Sequence, residues 1–402
     1  MKQSLYNTRI KLSEHTDIIY NAATEQFVIV PYTFDFDNLN LSSELAAKLT
    51  REGMFVDDRI DESKESWDQY LKSVRDDSLF RLIINPTLNC NFRCWYCYET
   101  HRKDSTMSAE VLQKTKDFIK QIISKYKKIE LSFFGGEPIL EFETIVLPLI
   151  RYTDALSKKF GKEYVITFTT NGFLISDKMI ESLKPYNIGI CQITLDGGPE
   201  SHNNTRVSRH QDSFIKISDN IKLLAKAQIP VLIRVNVTNE NIEEASVVPS
   251  YFSDLPAEVT HYLRVFVQQV WQDAHNEILD KRLKLYEKFI QVGIYPWKRR
   301  FNYTKDICYG DSLHSCVINY DGKIFKCTAM DFENVQNEAT IFDNPLQEFQ
   351  DSFLSYISKK IQNLRCKDCR ILPLVAEAVL NTLVRPITEA TVCMRVRKIK
   401  TS

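Results

Sequence analysis

The chain has 402 residues, enough for two or three domains. Its 52 basic and 52 acidic side chains cancel to a formal net charge of zero, which leaves no electrostatic footprint for nucleic acid. The opening residues lack an apolar signal core, and no apolar run reaches the roughly 20 residues that span a bilayer. A soluble, cytoplasmic protein with neither nucleic-acid nor membrane partners is therefore expected. A hydrophobic content of 44% supports sizeable cores, and ten cysteines in such a setting point to metal ligation rather than disulfides.

Residues 1–78 come first. The segment 17–31 reads as two short strands around a polar turn. Residues 42–51 read as a helix capped by Ser42 or Ser43, with Leu45 and Leu49 on one face, and 54–56 as a short strand. A β-rich apolar run over 79–86 then leads into three cysteines within eight residues, Cys90, Cys94 and Cys97. Three thiolates can hold three corners of a cubane [4Fe–4S] cluster and leave the fourth iron without a protein ligand. Open coordination is where chemistry happens, as catalytic zinc sites illustrate. The spacing differs from the paired CxxC units of a zinc ribbon; the plain alternatives are a structural metal knot or reduced core cysteines.

Strands and helices alternate through 79–270. Helices are expected at 108–126, 139–156, 176–183, 213–227 and 242–252. Strands are expected at 129–134, 164–170, 188–195, 231–237 and 262–267. Repeated βα units imply parallel strands covered by helices. The polar motifs fall where strands end: Gly135-Gly136-Glu137-Pro138, then Asn171-Gly172, then Thr194-Leu195-Asp196-Gly197. Barrel active sites lie at that end, where the βα loops converge. The glycines let the backbone approach a ligand, and Glu137 can accept a charge-assisted hydrogen bond. Cys191, between Ile190 and Ile193, reads as a core residue. Residues 296–402 hold Cys308, Cys316, Cys327, Cys366, Cys369 and Cys393, with 316–327 reading as a hairpin turned at 320–323.

The CxxxCxxC loop with Tyr96 before its last cysteine resembles the cluster loop of the radical S-adenosyl-L-methionine (SAM) enzymes. The resemblance implies that the open iron chelates the amino and carboxylate groups of SAM, whose one-electron cleavage yields a hydrogen-abstracting radical. It implies an α/β fold: a partial (β/α)6 barrel over 79–295, a small N-terminal α+β module, and a C-terminal cysteine-rich domain. It assigns Gly135, Gly136, Glu137 and Pro138 to the methionyl amino group and Asn171 and Thr194 to SAM contacts. Tyr96 goes to the adenine, and Arg206 and Arg234 are candidates for the carboxylate. The N-terminal module resembles part of the winged-helix element with which peptide-modifying enzymes grip a leader; a plain hairpin-plus-helix cap is the alternative.

The tail resembles the SPASM domain, which carries two auxiliary [4Fe–4S] clusters. Cys308, Cys316 and Cys327 match its opening three cysteines, Cys366 and Cys369 its CxxC pair, and Cys393 its last. Val375 and Val379 stand where two further ligands belong. Either each cluster keeps three cysteines, with an open iron or an oxygen ligand such as Glu377, or one or both clusters are absent. The expected function is a radical SAM maturase that cross-links a precursor peptide through a thioether, carbon–carbon or carbon–oxygen bond, served by an external flavodoxin- or ferredoxin-type electron donor. A sulfatase maturase forming formylglycine is the alternative within the class; the 89 residues before Cys90 favour the peptide reading. A non-catalytic iron–sulfur sensor or scaffold is the alternative outside it.

Overall fold

The computed structural model describes residues 1–38, 43–207, 212–273, 278–297 and 307–330, together with 332, 333, 337, 339–343, 346, 347, 350, 354 and 373. Contacts divide the chain into two compact units.

The first unit gathers the described residues of 1–76 and 307–314, with 350, 354 and 373. Its strands are β1 (Lys2–Gln3), β2 (Asn7–Lys11), β3 (Thr16–Asn21), β4 (Phe27–Pro31) and β5 (Phe55–Val56), with helices α1 (Glu44–Arg51) and α2 (Glu62–Val74). β2, β3 and β4 form an antiparallel sheet, and β1 pairs with β5. Burial alternates along β3 and β4, and Ile19, Val28 and Val30 pack on Leu49, Met54 and Phe55. Ser43 caps α1 by accepting from Ala46 N. Neither β2 nor α2 was expected. β2 reads Asn-Thr-Arg-Ile-Lys and shows no apolar period, whereas α2 places Trp67, Tyr70, Leu71 and Val74 at i, i+3, i+4 and i+7, a helical signal that the sequence reading passed over.

The second unit gathers the described residues of 77–298 and 315–349. It opens with β6 (Leu79–Ile84), β7 (Arg93–Cys94), α3 (Ala109–Lys125), β8 (Lys128–Phe133), α4 (Leu147–Phe160), β9 (Glu163–Thr170), α5 (Asp177–Leu183) and β10 (Ile188–Leu195). It continues with α6 (Pro199–Thr205), β11 (Arg206–Val207), α7 (Ser213–Lys226), β12 (Val231–Val237), α8 (Ala257–Thr260), β13 (Leu263–Gln269), α9 (Leu279–Gln291) and β14 (Tyr295–Pro296). β15 (Ser315–Ile318), β16 (Lys323–Phe325) and β17 (Ala339–Thr340) complete it.

β6, β8, β9, β10, β12 and β13 are parallel neighbours in chain order, the six-strand arrangement expected of the partial barrel. β14 extends one end, and β15, parallel to β6, carries the β15–β16–β17 antiparallel run at the other. One face is a continuous core: Leu131, Phe133, Ile166, Phe168, Ile193, Val235 and Val265 pack with Phe118 and Ile122 of α3, Leu149 of α4 and Phe214 and Ile217 of α7. The alternate positions Ser132, Thr167, Thr169, Gln192, Arg234 and Gln268 are polar and only half-buried. A closed barrel fills that face with branched apolar residues; this open sheet mixes those half-buried polar residues with apolar ones such as Ile83 and Leu232.

Two expected helices differ in form. Over 139–156 the chain makes a 3-10 turn (Pro138–Glu141) and a π turn (Phe142–Val146) before α4 begins, with Pro148 at its first turn. Over 242–252 it forms a 3-10 run, Glu244–Phe252, with Pro249 inside. The hairpin expected at 316–327 is present as β15 and β16. Of the described residues in the tail, those of 315–349 group with the six-strand unit, and those of 307–314 with 350, 354 and 373 group with the N-terminal one.

Candidate metal and cofactor site

The cysteine loop is anchored by backbone. After β6 the segment 85–89 runs beside 134–137, with Phe134 N donating to Ile84 O (2.9 Å), Gly136 N to Thr87 O (3.0 Å) and Glu137 N to Asn89 O (2.8 Å). A Cβ on Gly136 would lie 2.2 Å from Asn89 O, and one on Gly135, whose φ is +109°, 2.5 Å from Thr87 O. The glycines therefore let two backbones touch. Further on, β7 pairs with β11, Cys94 opposite Arg206.

The three thiols are half-buried. Cys90 Sγ accepts from Phe92 N at 3.4 Å and lies 3.8 Å from Asn171 Nδ2; Cys97 Sγ lies 3.2 Å from His101 Nε2. Burial, with the Glu137 carboxylate adding to it, pushes Cys90 up to about 12; burial pushes Cys97 up to about 11 and also raises Cys94. Burial outweighs the opposing pull of the Arg206 cation, so these thiols keep their protons, and a metal group displaces those protons on binding.

Glu137 is fully buried, and its carboxylate is engaged within the protein. Oε1 accepts from Thr170 Oγ1 (2.6 Å) and Ile139 N (3.0 Å), and Oε2 from Asn171 N (2.7 Å). Burial raises its pKa against these donors. The side chain buckles the loop after β8 to the end of β9. Pro138 starts the 3-10 turn that Glu137 caps. Asn171 is engaged likewise: Nδ2 donates to Asn91 Oδ1 (2.7 Å), and Oδ1 accepts from Phe173 N (3.0 Å).

Tyr96 OH donates to Asp196 Oδ1 (2.6 Å) and accepts from Asn236 Nδ2 (3.0 Å) and Arg206 Nη2 (3.2 Å), while Arg206 Nε binds Asp196 Oδ2. Burial opposes the Arg206 charge, but Tyr96 and Asp196 outweigh it and hold the guanidinium ionised. Arg206 thus points at Asp196 and Tyr96. Arg234 Nε donates to Asn236 Oδ1 (2.8 Å), and burial lowers its pKa. Its register partner Thr194 is buried on β10. Tyr96, Asp196, Arg206 and Asn236 thereby lock the cysteine loop onto the ends of β10 and β12.

Beside this lock lies a cavity of about 240 Å³, lined in part by Trp95, Tyr96, Asp196, Asn204, Thr238 and Glu240, close to the ~300 Å³ lower bound for small-molecule sites. Sequence reasoning missed several buried polar residues near the cysteine loop and its lock. His202 is fully buried, and its Nδ1 accepts from Asp196 N at 3.3 Å; burial lowers its pKa to about 3. Glu99, lifted by burial to about 8, has Oε1 buried without a partner, as is Asn91 Nδ2 beside Cys90. The one available signal was His202 and Arg206 four apart on the segment after Asp196-Gly197.

The other cysteines fall apart into groups. Cys191 is a core residue, 2% exposed. Cys316 is buried in the main core on β15, pushed by burial to about 12 against the nearby Lys326 cation. Cys327 follows β16 and accepts from Ala329 N at 3.3 Å. Cys308 precedes a 3-10 turn in the first unit. Cys366, Cys369, Cys393, Val375, Glu377 and Val379 lie outside the described residues.

The loop residues suit a cubane. Three thiols share one pinned loop, and Asn91 Nδ2 is an unpaired buried donor next to Cys90. Among the described residues no three His, Cys, Asp or Glu side chains converge on a single ion, whereas a cubane takes its thiolates on separate irons. Also among the described residues, no helix is long and apolar enough to cross a membrane.

Comparison with known proteins agrees. Residues 84–248 match the model of the Radical SAM superfamily. A cysteine-type anaerobic sulfatase-maturating enzyme of Clostridium novyi is 24% identical over 332 residues, 74% of this chain and 86% of that one. Coverage of relatives is uneven: the chain spans 56% of the length of an uncharacterized Methanocaldococcus jannaschii protein, MJ0907, at 26% identity. Among solved structures, Streptococcus suis SuiB bound to its precursor peptide SuiA shares the fold over 93% of this chain and 94% of that one, with a TM-score of 0.55 at 14% identity. Native anSMEcpe with bound AdoMet and the Cp18Cys peptide shares it over 74% and 87%, with a TM-score of 0.56 at 20% identity. The cysteine loop and the strand-end motifs all fall inside the matched segment, so residues 84–248 carry the radical SAM match.

Proposed function

We propose that this protein is a radical SAM maturase that cross-links a precursor peptide through a thioether, carbon–carbon or carbon–oxygen bond. The observation that carries the reading is the cysteine loop locked by Tyr96, Asp196, Arg206 and Asn236 to the C-terminal ends of an open six-strand sheet whose inner face carries half-buried polar residues. Cys90, Cys94 and Cys97 would hold a [4Fe–4S] cluster. When bound, cluster and SAM together supply one-electron cleavage of a sulfonium and abstraction of a substrate hydrogen. The protein's part is positioning: Cys90, Cys94 and Cys97 would hold the cluster, and the cavity lined by Trp95 and Asp196 would be open to the nucleoside end of SAM. Arg234 and Thr194, side by side on the inner face, are available to SAM or substrate.

The N-terminal module supports a peptide substrate. Its sheet exposes Ile10 (47%), Phe27 (59%) and Ile29 (55%), an apolar face available to a precursor's leader. An external low-potential electron donor of flavodoxin or ferredoxin type completes the system. The similarity over most of the Clostridium novyi enzyme favours a second reading, oxidation of a cysteine or serine side chain to formylglycine.

The test is anaerobic reconstitution followed by incubation with SAM, dithionite and candidate peptides. The proposal expects 5′-deoxyadenosine and a peptide lighter by two hydrogens with two residues joined in its fragment spectrum. An aldehyde on a single cysteine or serine would select the second reading. A fully loaded protein that releases no 5′-deoxyadenosine would contradict both.

A further inference from the structure

His101 stands four residues past the last loop cysteine and outside the cysteine motif. Its Nε2 lies 3.2 Å from Cys97 Sγ, within reach of a hydrogen bond to sulfur. Its backbone is left-handed, with φ +52°, a conformation uncommon for a non-glycine residue. The chain turns back on itself there and brings the ring against the thiol. A thiolate bound to iron has no proton to give, so the hydrogen must sit on Nε2. At the other end of the loop the Asn171 amide points its Nδ2 at Cys90 Sγ from 3.8 Å.

We infer that His101 donates its Nε2–H to the Cys97 thiolate and thereby raises the reduction potential of the cluster the loop holds. Reduction adds one electron from a low-potential donor, and the extra negative charge spreads onto the thiolates. A donor aimed at one thiolate stabilises the reduced state more than the oxidised one, and hydrogen bonds to sulfur are among the recognised determinants of such potentials. This inference rests on the cluster assignment under the proposed function.

The experiment is an EPR-monitored redox titration of the full-length protein, reconstituted anaerobically, for wild type, His101→Phe and His101→Gln, with iron and sulfide assayed in each. In His101→Phe the iron content should stay at the wild-type level. The ratio of reduced to oxidised cluster at a fixed potential should fall about tenfold, a negative shift of about 59 mV for one electron. His101→Gln, which keeps an N–H donor, should recover most of the shift. An unchanged midpoint in a fully loaded His101→Phe overturns the inference. So does loss of iron from both variants, which would make the imidazole a support of the loop rather than a tuner. A wild type without a cubane would instead overturn the functional reading.

Discussion

Arg206 and Asp196 form an ion pair with side-chain exposures of 8% and 1%. Such a pair gains little over an apolar filling, but removing one partner strands the other and costs about 3–5 kcal/mol. Asp196→Ala is therefore expected to lower unfolding free energy by about that amount in urea melts and to reduce iron uptake by the loop. His202 acts through the same loop. Its folded pKa, about 3, lies below the ordinary value of 6.5, so the unfolded chain binds the extra proton. Its contribution is present above pH ~6.5 and is lost as pH falls toward 3, by up to about 1.4 kcal/mol per pH unit. Melts of His202→Gln across that window should show a shallower acid slope than wild type; parallel slopes would exclude the buried neutral imidazole. At this scale the sequence revealed which residues matter better than what they touch. Glu137, Asn171 and Arg206 were expected at the SAM site, and the fold adds that their side chains bind Thr170, Asn91 and Asp196. A motif records that a residue type is needed at a strand end, and only the fold tells whether its partner is a ligand or a neighbouring loop.

Between elements, the join of 85–89 to 134–137 is the contact on which the cysteine loop depends. Gly136→Ala would place a Cβ 2.2 Å from Asn89 O, a backbone atom that cannot swing aside. The two segments must part, so the variant is expected to lose at least about 1–3 kcal/mol and to load less iron, while far-UV circular dichroism keeps the native helix and strand signal. Elements were legible where period and caps agreed: α5 follows Ser176, α3 follows Ser108, and β12 spans the expected 231–237. They were illegible where short or polar. β7 and β11, two residues each, pin Cys94 to Arg206 and carry no periodic signal. The 3-10 run over Glu244–Phe252 looked helical because apolar residues alone cannot report the loss of i→i−4 bonding at Pro249.

For the whole molecule, the six parallel strands could be read from alternating βα patterns, because each strand brings an apolar run and the segments between them amphipathic ones, capped by serine at α3 and α5. The fate of the tail could not. Cys316 was expected as one ligand among spaced cysteines, and the fold adds that its strand is buried on all four residues and joins the main sheet beside β6. Strand addition across 230 residues of chain leaves no local trace. If the tail holds at least one auxiliary cluster, reconstituted wild type should contain more than the ~4 irons of one cubane, and a Cys90/Cys94/Cys97→Ala triple variant should retain some iron. An iron-free triple variant would exclude auxiliary clusters. Cys191→Ala should leave the iron content unchanged, since that thiol lies in the apolar core.

The most direct measurement is the EPR spectrum of the dithionite-reduced, anaerobically reconstituted protein before and after SAM is added. A cubane held by three thiolates has a vacant iron, so the spectrum should be that of a reduced [4Fe–4S] cluster and should change when SAM binds. Absence of a cubane, or a cubane spectrum that SAM leaves unaltered, would contradict the account.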